Sequence, residues 1–240
     1  MKSREKNIQI FERDVVSNGG YAYTAKERLS CFLSNQRMSN AIGQLVNIKG
    51  KTVIDIGCGD GTYTRELMDR GAISILGIDA AEEAVNSARE KTKEFSHVRF
   101  EVHDVYKIPK SDPLYDIAIV RGILHHLYNP EDAIEKICKT AKEIVVIEPN
   151  GYNPVLKFIE KTSSYHIQHE EKSYSPRKLD GWFMKNNGRI VKRMYIGFVP
   201  MFCPDWMAST LKFAEPFVEA TPVLRNVCCA QYVQLIRIKM

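Results

Sequence analysis

The sequence predicts an α/β fold, a doubly wound and mostly parallel sheet with helices on both faces, preceded by a helical N-terminal segment. Three observations predict it. Between residues 51 and 150, short β-branched apolar runs alternate with helix-like segments five times, the pattern of a parallel sheet covered on both sides. The first run, Val53-Ile54-Asp55-Ile56, feeds directly into Gly57-Cys58-Gly59-Asp60-Gly61 and then a helix-like stretch. The polar residues Asp79, Asp104 and Arg121 close later strands. They converge with the glycine turn on the rim beyond the strands' carboxyl ends, where such sheets bind ligands.

Residues 1–48 form the first unit, a helical cap ahead of the first strand. Within it, residues 25–45 carry Leu29, Phe32, Leu33, Ala41, Ile42 and Leu45 at near-helical spacing. A glycine-marked loop at 18–23 precedes that helix and holds Tyr21 and Tyr23. Those rings either face the site or pack at the surface as amphipathic groups. The second unit, 49–240, carries the sheet, with insertions on the substrate side at about 151–188 and 200–222.

After the first strand, glycine lets the turn take positive φ and lets a ligand lie against bare backbone. The N–H groups of the following helix start favour acceptor or anionic groups. The glycines run G-x-G-x-G, not the G-x-G-x-x-G of pyrophosphate-binding turns. Residues 75–79 form the second strand. Asp79 at its tip can accept ribose hydroxyls or cap the helix predicted over 80–93, and the two roles are compatible. Residues 98–105 read as the third strand with Asp104 near its end, residues 115–121 as the fourth, leading into Leu124-His125-His126-Leu127, and residues 144–150 as the fifth.

Beyond the fifth strand, a helix starts at Asn153-Pro154, and 165–171 is a polar loop containing His166 and His169. Ser175-Pro176 caps a short helix that ends near Asn187-Gly188. Residues 189–199 read as the sixth strand, 204–219 as an inserted helix and 227–238 as the seventh strand. The inserted helix belongs to an aromatic stretch that includes Trp206 and Phe213. It is either core or a surface for a lipid-like substrate or a membrane.

Composition narrows the classes. At 240 residues and 44% hydrophobic, the chain can bury a full core. A net charge of +5 without a basic block argues against nucleic acid as partner. The six cysteines show no C-x-x-C pair and read as reduced thiols of a cytoplasmic protein, with no metal site expected. The N-terminus lacks an apolar signal-peptide core, and no run of 18 apolar residues exists.

Asp55 with its G-x-G-x-G turn, Asp79, Asp104, the 115–127 stretch ending Leu-His-His-Leu and Glu148-Pro149-Asn150 fall in one order over 53–150. This order resembles the motifs of class I methyltransferases that use S-adenosylmethionine (SAM). The resemblance implies a seven-stranded sheet with an antiparallel last strand and SAM as cofactor, with S-adenosylhomocysteine as product. It assigns Asp55, Gly57, Cys58, Gly59 and Gly61 to the amino-acid end of SAM, Asp79 and Ala80 to the ribose, and Asp104 and Val105 to the adenine; Arg121 is a further cofactor-binding candidate, meeting either the cofactor carboxylate or an acidic substrate. It also implies an N-terminal segment, with Tyr21 and Tyr23, lying across the cofactor.

The acceptor side is less defined. His125 or His126 can serve as the base, or one packs beneath the cofactor while the other bonds backbone. His166, His169 and Trp206 are candidate substrate contacts. The expected activity is methyl transfer to a small molecule or a saccharide or lipid-linked intermediate. A natural-product O- or N-methyltransferase and a non-catalytic SAM-binding protein are the alternatives. Peripheral membrane contact, the acceptor atom and the oligomeric state stay open.

Overall fold

The computed structural model describes residues 27–163, 166–167, 171–201 and 203–239. Seven strands form one sheet in the order β3-β2-β1-β4-β5-β7-β6. They are β1 (Thr52–Ile56), β2 (Ser74–Asp79), β3 (Val98–Val102), β4 (Tyr115–Arg121), β5 (Ala141–Pro149), β6 (Gly188–Ile196) and β7 (Gln231–Ile238). The first five pair in parallel, and β7 runs antiparallel between β5 and β6. The chain order reverses between β1 and β4, which is the switch point where ligands of such sheets bind.

Neighbouring residues of each central strand point to opposite faces, and both faces are buried. Val53, Ile117, Val145 and Val233 join one core with Met38, Ala41 and Ile42 of α1 (Leu29–Leu45) and Val85 and Ala88 of α3 (Glu82–Thr92). Ile54, Ala118, Ile144 and Tyr232 join the other with Ile134 and Ile137 of α4 (Pro130–Ile137) and Leu179, Trp182 and Phe183 of α6 (Pro176–Lys185). Burial on both sides explains why these strands read as unbroken apolar runs rather than alternating ones. The remaining helices are α2 (Thr64–Asp69), α5 (Pro154–Thr162), α7 (Asp205–Ala220) and α8 (Pro222–Cys228).

Helix α1 is held by polar links as well as apolar packing. Arg37 meets Glu219 of α7 through Nε at 2.9 Å and Nη2 at 2.7 Å, a bidentate geometry. Glu219 Oε1 also accepts from Gly197 N, just past β6. Ser34 Oγ donates to Val199 O. The helix is therefore tied to the loop that leaves the carboxyl end of β6.

Several boundaries differ from the sequence expectation: the fifth strand starts earlier, at Ala141, the sixth ends earlier, at Ile196, and three further differences have a local cause. The third strand stops at Val102, because the Asp104 carboxylate accepts from Tyr106 N and turns residues 105–107 into a 3₁₀ turn. Residues 124–126 form a second 3₁₀ turn instead of an open loop. The seventh strand starts at Gln231, not 227: Pro222 opens the additional helix α8, a start for which proline's fixed φ is suited.

Candidate functional site

The glycine turn joins β1 to α2. Gly57, Gly59 and Gly61 have φ of +77°, +53° and +76°, the left-handed region that excludes most side chains. Gly57 also has a packing reason: a Cβ there would lie 2.0 Å from Ile123 Cγ2. A Cβ on Gly61 would meet Ala88 Cβ of α3 at 2.9 Å. The turn is thus pressed between the loop after β4 and the helix after β2.

Two carboxylates organise it. Asp55 is buried in β1 and accepts from Thr64 Oγ1 at 2.6 Å. Burial pushes its carboxyl up to about 6, with the Thr64 bond and the charge of Arg121 pulling the other way. Asp79, at the tip of β2, accepts from Gly59 N and from Ala81 N, each at 2.9 Å. Burial raises its pKa too, and those backbone donors offset part of the rise. The Asp79 side chain thus ties the backbone leading into α3 to the glycine turn. Cys58 is buried, and desolvation pushes its thiol well up. Ala80 follows Asp79 on the same rim. Asp104 caps its 3₁₀ turn, and Val105 is buried behind it.

Arg121, the last residue of β4, donates to Asn35 Oδ1 at 3.0 Å and Ser39 Oγ at 3.1 Å on α1. Its guanidinium carbon lies 3.6 Å from the centre of the Tyr63 ring. It anchors α1 at the end of β4, a connection that the spacing of the chain gave no sign of.

The loop after β4 is built around Glu148 near the end of β5. Its Oε1 accepts from Ile123 N at 2.9 Å and Leu124 N at 2.8 Å, and its Oε2 accepts from His125 N at 3.1 Å. His125 Nδ1 lies 2.8 Å from the same Oε2. Burial opposes the charged imidazole of His125, but Glu148, by charge and hydrogen bond, leaves its pKa above the ordinary value. The His125 and His126 rings face one another with centroids 3.8 Å apart. Glu171 reaches in from the segment between α5 and α6: its Oε1 is 4.0 Å from His126 Nδ1, and its Oε2 is 3.3 Å from His166 Nε2.

In the sequence Glu148 figures only within the Glu148-Pro149-Asn150 motif and Glu171 only within the polar loop at 165–171, neither with a role of its own. An acid closing the apolar run Ile144-Val145-Val146-Ile147 is a usable signal for Glu148, because a buried carboxylate needs donors. Nothing in linear spacing points Glu171 at His126. Tyr21, Tyr23 and His169 lie outside the described residues. Trp206 is 73% exposed in the first turn of α7, apart from the contacts that join the histidines and the glycine turn.

Known proteins share this arrangement of the fold. A family model described as "Methyltransferase domain" matches residues 47–194. The mitochondrial ubiquinone biosynthesis O-methyltransferase of Dictyostelium discoideum is 24% identical over 181 residues, covering 66% of this chain and 56% of that protein. The chain spans between about a third and a little over half the length of the curated relatives it matches. Among solved structures, the complex between the Haloferax volcanii Trm112 methyltransferase activator and a methyltransferase superposes with a TM-score of 0.68 at 17% identity, over 96% of this chain and 98% of that one. Magnesium protoporphyrin IX methyltransferase from Synechocystis with bound SAM gives 0.65 at 14% identity, over 97% of both chains. At these identities the superpositions establish the fold.

Proposed function

The chain belongs to the class I SAM-dependent methyltransferases, and from that premise we propose that it methylates an oxygen of a small-molecule, saccharide or lipid-linked acceptor. The observation that carries the donor half is the tie between Asp79 and Gly59. It sets a carboxylate beside three positive-φ glycines at the sheet's switch point. These residues fit SAM: Gly57, Cys58, Gly59 and Gly61 offer backbone to its amino-acid end, with Asp55 beneath them. Asp79 and Ala80 meet the ribose, and Asp104 and Val105 the adenine. Bound there, SAM supplies a methyl group on a sulfonium, and the electron pair of the broken bond returns to sulfur. Arg121 contributes by fixing α1 over this rim.

The acceptor half is assigned to the loop after β4. Ile123 packs against Gly57, so His125 and His126 follow directly on the segment that touches the donor turn. They are the titratable groups we assign to the acceptor hydroxyl, with Glu148 setting the orientation of His125. His166 joins them through Glu171. An oxygen acceptor is favoured by the O-methyltransferases among the curated relatives. No helix among the described residues is long and apolar enough to cross a membrane. All six cysteines are free thiols, which supports a reducing, cytoplasmic setting.

The test has two parts. Calorimetry should show SAM binding that Gly59→Val abolishes while the fold persists. Turnover of SAM over a panel of cell extracts should give a product heavier by one methyl group, with fragmentation locating it on oxygen. His166→Ala should lower turnover and leave SAM affinity unchanged. Wild-type-like SAM binding by Gly59→Val removes the donor site, and a methyl on nitrogen or carbon removes the oxygen acceptor.

A further inference from the structure

The same loop holds a grouping that can do more than the methyl-transfer reading asks of it. Among the described residues, His125, His126 and Glu171 each offer one ligand atom, and these atoms lie within 4.8 Å of one another. They come from two separate parts of the chain and are held in place by main-chain bonds. Lys172 N donates to His125 O at 3.1 Å, and Glu171 N donates to His166 O at 3.0 Å. The segment that delivers Glu171 is therefore stitched to the turn that delivers the histidines.

We propose that His125, His126 and Glu171 bind one divalent transition-metal ion of the zinc type on the acceptor side of the site. Two imidazoles and one carboxylate form a ligand set that catalytic zinc uses with a further position left open. Imidazole donors favour zinc, cobalt or iron over magnesium, which prefers oxygen. The outer shell is present as well. His125 Nδ1 is engaged by Glu148 at 2.8 Å, which leaves Nε2 as the donor atom and fixes the ring. His166 contacts the far carboxylate oxygen of Glu171 at 3.3 Å and holds that side chain from behind. His125 and Glu148 are both buried, so the ligand is preorganised rather than recruited from a mobile side chain.

The role of the ion rests on the proposed methyl transfer, although the site itself does not. An acceptor hydroxyl on the open position has its O–H bond weakened by the metal charge. Its proton passes to solvent, and both electrons of that bond stay on oxygen, which becomes the nucleophile. In this form the two imidazoles act as ligands and the ion takes over deprotonation.

The experiment uses the full chain, stripped with a chelator and titrated separately with Zn²⁺ and with SAM. Wild type should take up one zinc per chain, and Zn²⁺ should raise its melting temperature. Co²⁺ in place of zinc should give the visible absorption of a nitrogen- and oxygen-ligated ion. Glu171→Gln and His126→Ala should each weaken zinc binding tenfold or more and leave SAM affinity within about twofold. The proposal is overturned if wild type takes up no zinc, or if both variants bind it as wild type does. Should a variant fail to fold, the wild-type zinc stoichiometry and melting shift decide, and absence of both overturns the site. SAM binding without zinc uptake removes the ion alone; zinc uptake without SAM binding removes the methyl-transfer reading and keeps the site.

Discussion

Glu148 Oε2 lies 2.8 Å from His125 Nδ1 while the same carboxylate accepts from three consecutive backbone N–H groups, those of Ile123, Leu124 and His125. One buried side chain from β5 thus sets the course of the chain after β4. Glu148→Ala leaves those donors unsatisfied in the interior, where each costs about 1–3 kcal/mol. Urea denaturation should show a loss of roughly 3 kcal/mol or more. Glu148→Gln keeps one acceptor oxygen and should lose less. A loss under about 1 kcal/mol for the alanine variant would mean that water replaces the carboxylate.

Gly57 and Ile123 should be energetically coupled. A methyl at position 57 would sit 2.0 Å from Ile123 Cγ2, and its φ of +77° adds about 1–2 kcal/mol of backbone strain. Gly57→Ala should therefore destabilise the fold and distort the turn. Ile123→Ala removes the clashing group, so the double variant should be more stable than the sum of the single changes by about 1 kcal/mol. Strict additivity in denaturation midpoints would show that the two do not compete for space.

Much of this was legible because it depends on local pattern. Val53-Ile54, Ile117-Ala118 and Ile144-Val145 mark strands buried on both faces, and the alternation of such runs with helical stretches implies a parallel sheet. The glycine turn and Asp79 stand out because backbone conformation and strand ends leave marks in sequence. The contacts that join distant segments leave none. Arg121 reads as a group at a strand tip, yet its partners Asn35 and Ser39 are more than 80 residues away in sequence. Glu171 reads as part of a polar loop, and only the fold brings it to His126. Val227 reads as the start of a strand, but Pro222 had already committed those residues to a helix.

Asp79 should affect both stability and cofactor affinity. Its two carboxylate oxygens hold Gly59 N and Ala81 N, and in the proposed complex the same group faces the ribose. Loss of a hydrogen bond to a charged group costs about 1.5–3 kcal/mol. Asp79→Ala should weaken SAM binding by roughly ten- to a hundredfold and should also lower the melting temperature of the SAM-free protein. Calorimetry and a thermal melt on one preparation separate the two effects. A lower melting temperature with unchanged affinity would leave Asp79 a purely structural link.

Asp55 should make the SAM-free fold weaken as pH rises through the mildly acidic range. Burial lifts its carboxyl from an ordinary 3.8 to about 6 in the folded chain. Between those values the folded state holds the proton and the unfolded state releases it, so stability falls with rising pH. The contribution is fully present below about pH 4 and lost by the time pH passes about 6. A rise of that size corresponds to roughly 3 kcal/mol. Asp55→Asn keeps an acceptor for Thr64 Oγ1 and carries no titrating proton, so it should lack this component. Urea midpoints measured for both proteins from about pH 4 to about pH 7 give the comparison, because other carboxylates contribute equally to each curve. The difference between the curves should move in favour of the asparagine variant as pH rises. A difference that stays flat, or moves the other way, would mean that Asp55 is charged in the fold throughout, with Arg121 and Thr64 outweighing its burial.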